Sequence, residues 1–416
     1  MLLAITMKRP QRPAGPKARK KNRTNKGINP TNGRKGFRGK GKGPSFEDIL
    51  ENLLMPMVLA YQELTYDFPS VKEVVSTSIL ACIQRTTINT VCDYIDDGKS
   101  SRTILHYLGC LDLEKVEKRV NELLRKDILE FIKEKWVRLS LDLVNIPYYG
   151  EAKDKEEELR KTKAKKGTST FHSYMTAYAV VRNHRYTIAV RYVRAGEKVE
   201  EVFKEVMDEI CSLDLTIKGV FLDKEFYQVR VINYLKEMGL PTIIAVPQRG
   251  KKIKALRVRS EGARTVDWTA RNVHREEATF DLQCYQKYTK GSKVLGGGAT
   301  WFFYATISMS GKPKWMANEY RRRFGIESSY RMMDKCRART SSKDPAIRLF
   351  FVLIAFMIVN LKVLYEWFSV KDGRVSREES TALMRLNKLR RIIRTELEKW
   401  FSNRNRRKRR VYLEGW

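Results

Sequence analysis

Histidine and paired cysteine are what this sequence has least of. It holds four His in 416 residues. Its six Cys (Cys82, Cys92, Cys110, Cys211, Cys284 and Cys336) include no C-x-x-C pair. Structural zinc sites are built from such pairs and from His, so that class is excluded. Scattered thiols without a secretory signal are those of a protein in a reducing cytoplasm. The opening "MLLAITMKRP" puts its short apolar run before its charges, the reverse of a signal peptide. A long apolar run is also missing. Within 347–368 the uncharged part spans only Leu349 to Leu361, and Asn360, Lys362 and Glu366 interrupt the segment. A membrane-spanning helix needs roughly 20 apolar residues. The segment reads as a core helix, and no membrane is expected as a partner.

Acid is the minority charge. Lys plus Arg number 82 against 48 Asp plus Glu, a net +34. Such a surplus points to a polyanionic partner and says little about fold. The apolar fraction of 42% and aromatic fraction of 10% are those of a folded protein. Residues 8–44 contain no acid and almost no large apolar side chain. They cannot bury enough surface to fold alone, so 1–45 is expected to be a disordered basic arm that lies along phosphates. Within it "GFRGKGKG" nearly matches a phosphate-binding loop. Gly43 stands where Ser or Thr should follow Lys42, and no strand precedes, so the match is rejected.

Residues 46–135 carry apolar positions at three and four spacing in "VKEVVSTSILACIQ", "RTTINTVCDYI" and "LEKVEKRVNELLRKDILEFIKE". A helical DNA-binding domain of helix-turn-helix type is expected there. From 136 the period becomes two. "WVRLSLDLVNIPYYG", "STFHSYMTAYAVV" and "RYTIAVRYV" read as strands, "EKVEEVFKEVMDEICSLD" as a helix, "IKGVFLD" as a strand, "FYQVRVINYLKEMG" as a helix and "PTIIAV" as a strand. The order β-β-β-α-β-α-β predicts an α/β fold with a ribonuclease H-like core over 136–247 and 311–370. Residues 248–310 interrupt it as a β-rich insertion. Its basic start, "QRGKKIKALRVRS", offers Arg249, Lys251 and Lys252 to nucleic acid. Residues 371–416 form a basic C-terminal segment.

Three acids stand out by position. Asp142 lies inside the first strand, Asp223 ends "GVFLD", and Glu327 begins the helical "FGIESSY". An ionised carboxylate between core Leu residues is costly unless it is paired or binds metal. In a ribonuclease H-like sheet the strands of Asp142 and Asp223 are neighbours, and Glu327 can close the site from a helix. Carboxylate oxygens suit Mg²⁺ or Mn²⁺. Two ions held by the three acids would clamp the attacking and leaving oxygens of a phosphodiester. At 100° per residue, Tyr320, Arg323, Glu327, Arg331 and Asp334 share one helical stripe, with Lys335 at its edge. Arg322, Arg323 and Arg331 beside the acid would hold nonbridging phosphate oxygens. Tyr320 would contact phosphate or stack on a base.

With these residues in view, the sequence resembles the DDE transposases of prokaryotic, and in particular archaeal, insertion sequences. The group it looks most like carries a tyrosine–arginine–glutamate–lysine signature. Tyr320, Arg323 and Glu327 match at the signature spacings. Position 334 is Asp where the signature has Lys, so the phosphate contact falls to Lys335 or Arg331. "LDLVNIPYYG" resembles the first-Asp motif and "GVFLDKEFY" the second. The resemblance implies metal-dependent cleavage at terminal inverted repeats and joining to target DNA, by a homodimer on paired ends at the nucleoid. It also implies a β-rich insertion between the second Asp and the Glu. There Trp301 and Trp268 are candidates to stack on a flipped base. Two other readings remain: a ribonuclease H-like nuclease that cuts without joining, and a nonenzymatic DNA-binding protein descended from a transposase. The second has no need of all three acids.

Overall fold

The computed structural model describes residues 46–65, 70–95, 98–132, 136–151, 157–181, 184–258, 263–289, 298–371 and 385–414. The expected basic arm lies outside them. Five helices come first: α1 (Phe46–Thr65), α2 (Val71–Gln84), α3 (Ile88–Tyr94), α4 (Ser101–Gly109) and α5 (Leu113–Ile132). Thr87 and Ser100 cap α3 and α4 by accepting the backbone N–H three residues on. Then follow β1 (Val137–Pro147), β2 (Arg160–Lys165), β3 (Thr168–Val181), β4 (His184–Val193), α6 (Val199–Cys211), β5 (Ile217–Leu222), α7 (Val229–Glu237) and β6 (Thr242–Ala245). All seven elements of the expected alternating series are present. The short polar hairpin strand β2 is additional, and its sequence "RKTKAK" lacks the apolar alternation that marks a strand.

The strands form one mixed sheet in the order β2-β3-β1-β5-β6, continued by three strands from the interval 248–310, with β4 also on β3. β3 pairs antiparallel with β1 and β4, whereas β1, β5 and β6 run parallel through the crossover helices α6 and α7. The interval 248–310 holds α8 (Lys251–Val258), β7 (Arg264–Arg271), β8 (Glu277–Thr289) and β9 (Gly298–Ile307). Within this interval, expected as a β-rich insertion, β9 pairs antiparallel with β6, with Ile243 opposite Thr306, so its strands continue the central sheet. Helices α9 (Pro313–Tyr320), α10 (Ile326–Lys335), α11 (Pro345–Lys371) and α12 (Leu386–Glu414) complete the chain.

Alternation along β1 sets the layers. Leu139 and Leu141 are fully buried on the face covered by α6 and α7. Arg138, Ser140 and Asp142 point to the other face, beneath α9, α10 and α11. That second layer joins α1, α2, α4, α5, α11 and α12 in one apolar cluster, with Tyr61, Ile79, Phe351 and Leu397 all fully buried. The core of the helical region is shared with the late helices, because α11 is mostly apolar and nearly all of Pro345–Trp367 is buried. The segment Pro345–Trp367 is the one described helix long and apolar enough to cross a membrane, and nearly all of it is buried in the protein.

One stripe of α5 fastens the helical region to the sheet. β4 presents unpaired backbone groups along its outer edge. Glu117, Asn121 and Arg125 meet them in turn. The Glu117 carboxylate accepts Tyr192 N–H at 2.7 Å, and Asn121 accepts Val190 N–H at 2.8 Å while its amide donates to Val190 C=O at 3.2 Å. Arg125 Nε donates to Ile188 C=O at 2.8 Å. Four helical residues rise about 6 Å and two strand residues about 6.7 Å, so the i, i+4, i+8 stripe keeps step with every second strand residue. Past a register shift in the β3–β4 pairing, Asn360 of α11 meets Thr187 in the same way, at 2.9 and 2.8 Å. Asn121→Leu keeps the volume but orphans both groups of Val190. It should cost on the order of 2–4 kcal/mol in urea unfolding, from roughly 1–3 for each buried group left unpaired. An unchanged midpoint would show that these bonds do not hold the edge.

Candidate active site

Asp142 and Asp223 come together because their strands are parallel neighbours in register. Leu141 lies opposite Leu222. One step further the two Asp residues stand side by side where β1 meets the end of β5. Asp223 caps the short 3₁₀ turn Lys224–Phe226 by accepting Lys224 N–H. Asp142 accepts Leu143 N–H at 3.0 Å. Behind it, Thr176 of β3 donates to Asp142 C=O at 3.2 Å and shares a 2.6 Å bond with the Tyr330 hydroxyl of α10. The structure thus brings the first two acids together, Asp142 within β1 and Asp223 just past the end of β5.

Between them lies Arg323, only 5% exposed. Its Nη2 is 3.2 Å from Asp142 Oδ1 and 3.4 Å from Asp223 Oδ2. Burial pushes the Asp142 carboxyl up to about 6. Arg323 opposes that shift, Asp223 adds to it, the Leu143 N–H opposes it, and Glu225 adds to it. One guanidinium therefore does not fully offset the burial of the carboxylate.

The segment after α9 departs from the expected continuous helix. Arg321–Gly325 is a 3₁₀ turn between α9 and α10. A 3₁₀ residue advances 120° rather than 100°, so five of them rotate the stripe by roughly 100°. Tyr320 and Arg323 face inward, whereas Glu327, Arg331 and Lys335 line one exposed stripe. Tyr320 is buried, and its hydroxyl donates to Leu222 C=O at 3.2 Å, just before Asp223. It is thus a support of the strand end and is not free to stack on a base. The Glu327 side chain is 59% exposed and lies 4.0 Å from Arg331. The structure does not bring Glu327 to the two Asp residues, and no trio of His, Cys, Asp or Glu placed to hold a metal is found among the described residues. Asp334, two turns on from Glu327 along the same face of α10, is 3.8 Å from Arg337.

Residues without a sequence signal also support the site. Glu319 of α9 binds Arg138 of β1 at 3.1 Å and Arg322 at 3.2 Å, which moors the 3₁₀ turn over the sheet. Arg138 precedes Asp142 by four residues on the same strand face, a pattern readable in "RLSLD" once the strand is known. Arg185 of β4 donates to Arg322 C=O at 3.2 Å. A Cβ at position 325 would fall on the Arg185 guanidinium, so Gly325 leaves room for it.

The insertion's candidates divide. Trp301 is buried against Phe303, with near-parallel rings 6.2 Å apart, and its carbonyl accepts from Gln248. It is a core residue, because its strand β9 lies inside the sheet, and the base-stacking expectation for it is withdrawn. Trp268 is half-buried on the outermost strand, β7. With Arg249, Lys251, Lys252, Arg271 and Tyr227 it lines an open groove of about 600 Å³.

Residues 138–361 match a family described as "Transposase DDE domain". No curated protein matches the sequence. Among solved structures, the chain is similar to a piggyBac transposase in a synaptic complex with hairpin DNA. The TM-score is 0.52 at 12% identity, over 86% of this chain and 81% of that one. A likeness at that identity is one of fold.

The Asp142 carboxyl titrates near 6 in the folded chain and near 3.8 when free. The native state therefore favours the protonated form, and this group's contribution to stability falls as pH rises from about 4 through 6. Asp142→Asn has no such term. Its unfolding temperature relative to wild type should be higher at pH 7.5 than at pH 4.5. An offset independent of pH would contradict the assigned environment.

Proposed function

We propose, on the premise that the chain belongs to the transposase DDE domain family, that it binds the terminal inverted repeats of its own element and cuts and joins DNA at the Asp142–Asp223 centre. The observation that carries this reading is the pair itself. Two carboxylates, one of them raised by burial, are brought side by side on adjacent parallel strands and share one cation. A nonenzymatic DNA-binding fold has no use for so costly an arrangement. The strand order β4-β3-β1-β5-β6, antiparallel then parallel, supports a ribonuclease H-like core. The fold likeness to a transposase seen with hairpin DNA supports DNA as the partner.

The donor set fits a hard divalent cation. Asp142 and Asp223 supply carboxylate oxygens that already approach one positive group, and such oxygens suit Mg²⁺ or Mn²⁺. Glu327 is assigned as the third acid on its place in the signature, at the start of α10. When bound, two such ions supply activation of the attacking oxygen and stabilisation of the leaving one. The chain's own residues do the rest. β1 and β5 fix the carboxylates, and Tyr320 and Thr176 hold the backbone behind them. Arg322, Arg331 and Lys335 lie on the same segment and offer positive charge to the phosphates of the strand being cut. The groove at Arg249, Lys251, Lys252 and Trp268 holds flanking DNA, with Trp268 as the remaining candidate for base stacking. Two copies acting on paired ends complete the reading.

Cleavage and strand transfer on the element's terminal DNA with Mn²⁺ test it. Wild type should cut and join. Asp142→Asn and Glu327→Gln should bind the ends with unchanged affinity and do neither. Cutting without joining would favour the nuclease, and full activity of Glu327→Gln would remove that residue from the centre.

A further inference from the structure

The same two carboxylate oxygens that a divalent cation needs are held by Arg323, and they are held poorly. A strong guanidinium–carboxylate pair is a two-pronged fork at about 2.7–2.9 Å. Here one nitrogen, Nη2, reaches both acids at 3.2 and 3.4 Å. Arg323 Nε is buried and has no hydrogen-bond partner among the described residues. A buried donor left unpaired is itself a cost. The turn that carries Arg323 is 3₁₀, whose hydrogen bonds are weaker than those of an α-helix and which often marks a hinge within a helix.

We infer that Arg323 competes with divalent cation for the Asp142–Asp223 pair, so that it sets the metal affinity of the site. This rests on the metal-dependent reading above. Arg323 is then a positioning residue with two stations. On the pair, it keeps two close carboxylates from repelling each other. Displaced from the pair, it becomes a buried fork at the edge of the site, free to take a phosphate oxygen. Regularising the 321–325 turn to α-helix would move Arg323 and swing Glu327 back by the same rotation of roughly 100°, toward the stripe that Tyr320 already occupies. Release of the guanidinium and arrival of the third acid are thus one movement of one turn. A purely structural Arg323 would behave in the opposite way. Its loss would let the carboxylates drift apart and would weaken metal binding.

Mn²⁺ binding to the full-length protein, without DNA, read from the electron paramagnetic resonance of free Mn²⁺, separates the two. Arg323→Gln should bind Mn²⁺ on the order of tenfold more tightly than wild type, the lower end of what one close opposite charge does to a carboxylate's affinity for a proton. Arg323→Lys, which keeps the charge, should stay near wild type. Adding Asp142→Asn to Arg323→Gln should abolish the gain. If Arg323→Gln does not fold, Arg323→Met, apolar and of similar length, takes its place. Unchanged or weaker binding in the uncharged variant, against an Asp142-dependent wild-type signal, overturns the inference and leaves the metal-dependent reading standing. Equal tightening by Gln and Lys also overturns it, because charge would then not be what competes. No Mn²⁺ bound by any variant overturns the metal-dependent reading and this inference with it.

Discussion

Two carboxylates set side by side in a largely buried place must be held against their own repulsion, and much of this fold can be understood from how that is done. Asp142 and Asp223 are neighbours because β1 and β5 are parallel and in register. Parallel strands require crossovers, and α6 supplies the apolar cover that the crossover to β5 brings with it. On the other face α9 and α10 bring Arg323 down between the acids. The positive surplus of the chain therefore has two uses at different depths. At the surface it meets phosphate in the proposed function, and at the sheet it offsets a pair of acids that the fold sets side by side.

The helical region is bound to this centre more closely than a flexible reader domain would be. The stripe Glu117, Asn121 and Arg125 takes the place of another strand along β4. An edge that would otherwise invite pairing with a foreign chain is closed by side chains of the same molecule. Because α11 packs against both α5 and β4, the helices that meet DNA in the proposed function and the sheet that carries the acids share one apolar body. Strain at one would be felt at the other, since close-packed interiors transmit displacement.

Much of this was legible in the sequence, and for a physical reason. Strands β1, β3, β4, β5 and β6 announce themselves by alternation or by short apolar runs, and an Asp among Leu residues is conspicuous because it is costly. What was not legible depended on phase and on partners. The stripe through Tyr320, Arg323 and Glu327 is correct for an α-helix, but five residues of 3₁₀ turn broke it, and no residue in "RRRFG" forbids either form. Trp301 was a stacking candidate by its place in the insertion and is buried because β9 joins β6, a long-range pairing that local pattern does not encode. Strand β2 was missed because its polar residues carry no period. Arg138 and Glu319 were missed because an ion pair across 181 residues leaves no local signal.

The central claim is that Asp142 and Asp223 together take a divalent cation. Crystals of the protein grown or soaked with Mn²⁺ and measured at the manganese absorption edge test it directly. An anomalous peak between the two carboxylates, absent from Asp142→Asn crystals prepared in the same way, is the predicted result. Mn²⁺ seated only elsewhere, with the pair still closed on Arg323 at saturating metal, would contradict the account.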